Sequence, residues 1–140
     1  MALKNPEQEK LLLKIGKKKS KYRNTKVELD GIKFDSIAEA AQWIQLKEWK
    51  ERKLIRKLEV KPVYKFRCGV KYIPDFRFKR RENGIWKSVI LDVKGFVTPE
   101  FSVKRKLMLD EFGIVVEIVK ISSNVANNLV RAYIGKSSTK

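Results

Sequence analysis

The chain has 140 residues, 33 of them lysine or arginine against 16 acids, with no histidine, so its formal net charge at pH 7 is +17. A single cysteine, Cys68, excludes a disulfide framework and cysteine-based zinc, and the lack of histidine excludes histidine triads, histidine-metal nucleases and zinc deaminases. A charge this large on one small domain implies a polyanionic partner, nucleic acid by default, and leaves any hydrolysis to carboxylates, lysine and a hard metal ion. There is no signal-peptide pattern, no apolar run near the ~20 residues of a membrane span, and no basic face joined to a strong apolar one. A cytoplasmic protein with no membrane partner is expected.

Residues 1–25 read as a basic N-terminal helix and arm. In "NPEQEKLLLKIG", Asn5 is an N-cap, Pro6 a first helical residue and Gly16 a stop. The run after it holds Lys17, Lys18, Lys19, Lys21 and Arg23, either a solvated arm or one that contacts phosphates. Residues 26–140 read as a single domain. "KVELDGIKF" alternates around Asp30-Gly31, a hairpin signal. A helix is expected from about Ile37 to Lys53, with Ile37, Ala40, Ala41 and Ile44 on one side. Strands are expected near Leu58 to Lys61, over "VYKFRC", and over "VKYIPDFRFKRR". Asn83-Gly84 then turns the chain into "IWKSVILDVKG". Thr98 caps, and Pro99 opens, a helix expected to run to Gly113. "IVVEIVKI" reads as a buried strand and "SNVANNLVRAYIG" as a last helix. The order predicts an α/β (α+β) layered fold with strands of mixed direction.

"ILDVKG" poses the chemical question, because a core strand that carries a charge must pair it or turn it to a wet cleft. With Asn83-Gly84 as the hairpin loop, Phe78 faces Val89, Phe76 faces Leu91 and Pro74 faces Val93, one continuous apolar face. On the other face Asp75 lies across from Asp92, with Lys94 one same-face step further on. Opposed carboxylates share a proton or hold a cation, and an oxygen-only ligand set suits Mg²⁺ or Mn²⁺. Pro74 could introduce a bulge that shifts this pairing. Glu39 has two readings: the partner of Ser36 in a capping box, or a third carboxylate facing the sheet. Lys94 is a catalytic cation or a structural partner of Asp92. Lys104, Arg105 and Lys106, on the helix after the site, form a solvated face or contact phosphates. For Trp43, Trp49 and Trp86, packing is favoured over stacking on bases.

Pro74-Asp75 followed by Asp92-Val93-Lys94, with Glu39 on a preceding helix, resembles the PD-(D/E)xK nuclease superfamily. The run from about Lys21 to Ile121 ("DGIKFDSIAEA", "YIPDF", "LDVKGFVTPEFSVKRKL") resembles short phage and prophage nucleases of the Holliday junction resolvase and structure-specific endonuclease type. The resemblance implies a restriction-endonuclease-like α-β-β-β-α-β core with a mixed central sheet flanked by helices. It also implies a metal-dependent DNA endonuclease acting on branched DNA such as four-way junctions. Asp75, Asp92 and Glu39 would hold Mg²⁺, with Mn²⁺ as substitute, and Lys94 would position or activate water. Asp92 stands where many members have Glu. Paired cuts need two active sites, so a homodimer is expected, in the host bacterial cytoplasm if phage-encoded. The alternatives are a nuclease of the same fold acting on other DNA, restriction-type or end-processing, and a non-catalytic basic DNA-binding accessory protein.

Overall fold

The computed structural model describes the backbone of residues 26–138. The expected helix at Asn5–Gly16 and the arm with Lys17, Lys18, Lys19, Lys21 and Arg23 lie outside the described residues. The described chain is mixed α and β: a four-stranded central sheet, two small hairpins and three helices.

The Asp30-Gly31 turn joins β1 (Val27–Leu29) to β2 (Ile32–Phe34), with Asp30 at φ 51° and Gly31 at φ 80°, left-handed conformations suited to a two-residue turn. Helix α1 (Ile37–Glu51) begins at Ser36, whose Oγ accepts from the Glu39 amide at 3.1 Å. Asp30 ties the hairpin to the helices, accepting from Trp43 Nε1 at 2.9 Å, Lys47 Nζ at 3.0 Å and Tyr133 Oη at 2.7 Å. Trp43 is thereby a packing and bonding residue.

Strand β3 (Ile55–Val60) starts earlier than its sequence pattern suggests. Its pairing with β6 (Phe76–Glu82) shifts register between Arg56 and Glu59, where Lys57 adopts φ 53°. The bulge breaks the alternation that a period-two reading depends on. The two strands expected around "VYKFRC" and "VKYIPDF" are shorter than anticipated. A small hairpin of β4 (Tyr64–Lys65) and β5 (Lys71–Tyr72) stands apart from the central sheet, with exposed Cys68 in its connection. Strand β6 (Phe76–Glu82) begins only after Pro74, which has no amide proton to give to a ladder. Strand β7 (Ile85–Val93) follows the Asn83-Gly84 turn, with Phe78 opposite Val89 and Phe76 opposite Leu91.

Helix α2 (Pro99–Leu107), capped by Thr98, carries the chain across to β8 (Val116–Val119), which lies parallel to β7. The expected single helix to Gly113 is instead α-helical to Leu107 and widens to a π-turn over Met108–Phe112, ending at Gly113 with φ 68°. Helix α3 (Ser123–Ser138) packs beside α1. The sheet order is β3-β6-β7-β8.

Both sheet faces are covered where β6 and β7 are most apolar. On one face Phe76, Phe78, Val89 and Leu91 pack with Ala40, Ala41 and Leu46 of α1 and Ala126 and Val130 of α3. On the other, Ile90 and Val116 pack with Phe101 of α2, Met108, and Phe66 and Tyr72 around the small hairpin. Each fully buried aromatic or aliphatic side chain contributes roughly 1.5–3 kcal/mol. These two layers hold the end of the β6–β7 hairpin where Asp75 and Asp92 emerge. No helix among the described residues is long and apolar enough to cross a membrane.

Candidate active site

The ladder between β6 and β7 ends at the Phe76–Leu91 pair. One step further, side chains take over from carbonyls. The Asp75 amide donates to Asp92 Oδ1 at 2.8 Å, and the Val93 amide donates to Asp75 Oδ2 at 2.8 Å. Each aspartate thus accepts from the opposite strand's backbone. The arrangement satisfies two amides that would otherwise be orphaned where the strands part. The third strand continues alongside, with the Lys61 amide donating to the Asp75 carbonyl at 2.9 Å.

Asp92 is only 2% exposed. Its second oxygen accepts a hydrogen bond from the Tyr72 hydroxyl. Burial, then the bond to Asp92, raises the Tyr72 phenol far above its ordinary range, so it is a fixed donor. Tyr72 escapes the sequence reading because it lies on a two-residue strand of the separate hairpin, and only the tertiary fold brings it to Asp92. Its position three residues before Asp75 was the one available hint.

Asp75 is partly buried, and its carboxyl is pushed from 3.8 up to about 7. Burial is the largest cause. Glu39 and Asp92 add to it, while the Val93 amide and the Lys94 ammonium act against it. Glu39 is also raised, by burial first and then by Asp35, with Asp92 contributing. Its Oε1 is buried without a hydrogen-bond partner. The cap therefore satisfies the Glu39 amide through Ser36 but leaves this carboxylate oxygen orphaned, which costs about 1–3 kcal/mol or more for a charged group.

Lys94 is partly buried, with its ammonium over the Phe101 ring at 4.6 Å from the centroid. Its amide donates to the Val119 carbonyl at 2.9 Å, extending the β7–β8 pairing. The structure thus brings Asp75, Asp92 and Lys94 to one strand end, and Glu39 reaches them electrostatically from the first turn of α1.

The helix cations are placed differently. Lys104 pairs with Glu100 at 3.2 Å, and Arg105 donates to the Val116 carbonyl at 3.2 Å. Lys106 is exposed. Two of the three expected phosphate contacts thus already have partners within the fold.

The donor chemistry fits a hard divalent cation. Glu39 and Asp92 push the Asp75 carboxyl up, one Glu39 oxygen has no partner, and every donor is oxygen. Among the described residues no three acids are gathered as a ready ligand cluster. Two oxygens of Asp92 and one of Asp75 are held instead by the bonds above.

A family model described as "Protein of unknown function (DUF1064)" matches residues 19–123, three-quarters of the chain and all of the strand end just described. The chain belongs to the DUF1064 family. No curated protein and no solved structure matches it. The matched span of DUF1064 runs through both aspartates, Glu39, Lys94 and Tyr72, and ends at the start of α3.

Proposed function

We propose that this DUF1064 protein is a metal-dependent DNA endonuclease that hydrolyses phosphodiester bonds in branched DNA, working as a homodimer of the Holliday junction resolvase type. The observation that carries the reading is the opposed pair of partly buried Asp75 and buried Asp92, with a Glu39 oxygen that has no partner, on a chain of net charge +17. The order of α1, β3, β6, β7, α2 and β8, with β8 parallel to β7, supports a restriction-endonuclease-like core.

Asp75, Asp92 and Glu39 would hold Mg²⁺ or Mn²⁺. When bound, the ion supplies Lewis acidity, lowering the pKa of water and offsetting charge on phosphoryl oxygens. The rest belongs to the chain. Tyr72 and the Asp75 amide fix the orientation of the Asp92 carboxylate. The Phe101 ring holds the Lys94 ammonium beside Asp75, a fixed positive charge where the attacked phosphate gains negative charge. Half-burial keeps the local dielectric low, which strengthens that charge's effect.

The rival is a non-catalytic DNA-binding protein. Its supporting observation is that both Asp92 oxygens serve as hydrogen-bond acceptors within the fold. The deciding experiment compares a strand-labelled four-way junction with a linear duplex of matched sequence, with and without Mg²⁺. Paired, Mg²⁺-dependent nicks confined to the junction establish the proposal. Equal cutting of both substrates keeps the catalytic site and rejects the junction preference. Binding without cutting under Mg²⁺ or Mn²⁺ establishes the rival.

A further inference from the structure

The sheet face that carries Asp75 and Asp92 continues away from them toward the Asn83-Gly84 turn. The register puts Arg81 opposite Trp86, Lys79 opposite Ser88 and Arg56 opposite Lys79, all on that same face. Beyond Ile90 the aromatic layer of Phe66, Tyr72 and Phe101 stops, and Arg56, Arg81 and Ser88 are exposed. Arg56 lies 3.8 Å from the Trp86 ring centroid and Arg81 lies 5.8 Å from it. Two guanidinium groups share one indole.

Around the edge of β3, a cleft of about 280 Å³ is lined by Lys50, Lys53, Arg56, Lys57 and Trp86. The bulge at Lys57 re-aims the chain here, with a non-glycine residue in the left-handed region. Among the described residues none of these six cations (Lys50, Lys53, Arg56, Lys57, Lys79, Arg81) is ion-paired with a carboxylate. The contrast with the neighbouring row is informative: Arg77 is held by Glu59 and Tyr64, and Lys61 by Asp35. Like charges set across a sheet destabilise it unless something neutralises them.

We propose that this uncovered face is a second nucleic-acid surface, which holds the phosphodiester backbone of a duplex arm leading away from the carboxylates. The inference rests on the nuclease reading for what lies at the other end. Trp86 and Asp92 are six positions apart on β7, a span of about 20 Å. At 3.4 Å per base pair, that places the contact about six base pairs from the scissile phosphate. Contact with the Trp86 ring limits the freedom of the two guanidinium groups, which lowers the ordering cost of their contacts.

The test measures the affinity of a 24-base-pair duplex as a function of salt, with Ca²⁺ in place of Mg²⁺, for the wild type, for Arg56→Gln with Arg81→Gln, and for Lys79→Gln alone. All three residues lie at the sheet surface, and Lys79→Gln keeps the test valid if the double variant does not fold. The expected result is a loss of about one unit of log–log salt slope per cation removed and at least tenfold weaker binding for the double variant. A control, Arg131→Gln on α3, which packs against the opposite face of the sheet, keeps the wild-type slope. Unchanged slopes, or an equal fall in the control, overturn the proposal, as does unchanged duplex binding with loss of binding to acidic-phospholipid vesicles. Cleavage of the same duplex in Mg²⁺ separates the two readings. A wild type that binds with the expected slopes but cuts no DNA overturns the nuclease and leaves this surface standing. A wild type that cuts, with slopes unaltered by the substitutions, does the reverse.

Discussion

The two ends of the β6–β7 hairpin carry opposite charge in opposite surroundings. At the open end, Asp75 and Asp92 are drawn into the fold and wrapped in amides and a tyrosine hydroxyl. At the turn end, Arg56 and Arg81 gather at the surface around one indole, Lys79 lies opposite Arg56, and none of the three is paired with a carboxylate. Buried charge is intolerable without partners, so the acidic end shows its constraints in its hydrogen bonds. Surface charge is cheap, so the basic end shows its role only by what it lacks. On the proposed reading, one end serves a reaction and the other attachment.

The sharpest way to break the contrast is at the acids. Asp75→Asn or Asp92→Asn should lower cleavage at least a thousandfold while DNA binding stays equal or tightens, since a negative charge facing phosphate is removed. Retained cleavage would sink the site. Lys94→Met should cost about a hundredfold or more in cleavage rate, with Lys94→Arg recovering part of it, read by single-turnover kinetics.

Stability is expected to depend on pH through Asp75. Its folded pKa of about 7 lies above the ordinary 3.8. Between those values the folded chain holds a proton that the unfolded chain releases, so stability without divalent cations falls as pH rises from about 4 to about 7 and then levels off. Each unit of that gap corresponds to about 1.4 kcal/mol before solvent screening. A cation binding the ionised carboxylates opposes the loss, so Mg²⁺ should raise Tm more at pH 8 than at pH 5. Equal Mg²⁺ shifts at both pH values would contradict this account.

Smaller effects follow at the supports. Tyr72→Phe removes a hydrogen bond to a buried charge and should lower stability by about 1.5–3 kcal/mol in urea unfolding. Ser36→Ala removes the α1 cap for about 1 kcal/mol. If Tyr72→Phe proves neutral, the Asp92 oxygen that accepts from Tyr72 has another donor.

What could be read from the residues was local. Asn83-Gly84 and matched apolar faces set the register that opposes Asp75 to Asp92, because a slip would turn Phe76 and Phe78 to the wrong side. Ser36 and Thr98 announced their helices by cap chemistry. What escaped depended on distance or strain. Tyr72 meets Asp92 only after the small hairpin folds over, and the Lys57 bulge and the π-turn after Leu107 break the periods from which strands and helices are inferred. The cation cluster at Trp86 draws on α1, β3, β6 and β7 at once, so no single stretch displays it.

The exchange of carbonyls for carboxylates where the hairpin parts has a spectroscopic consequence. The amide proton of Val93 is bonded to an Asp75 oxygen whose charge depends on protonation and on any bound cation. The Val93 resonance is therefore a built-in reporter: in an ¹H–¹⁵N spectrum it should move with pH near 7 and with added Mg²⁺, while the amides of the intact ladder between Phe76 and Glu82 hold still.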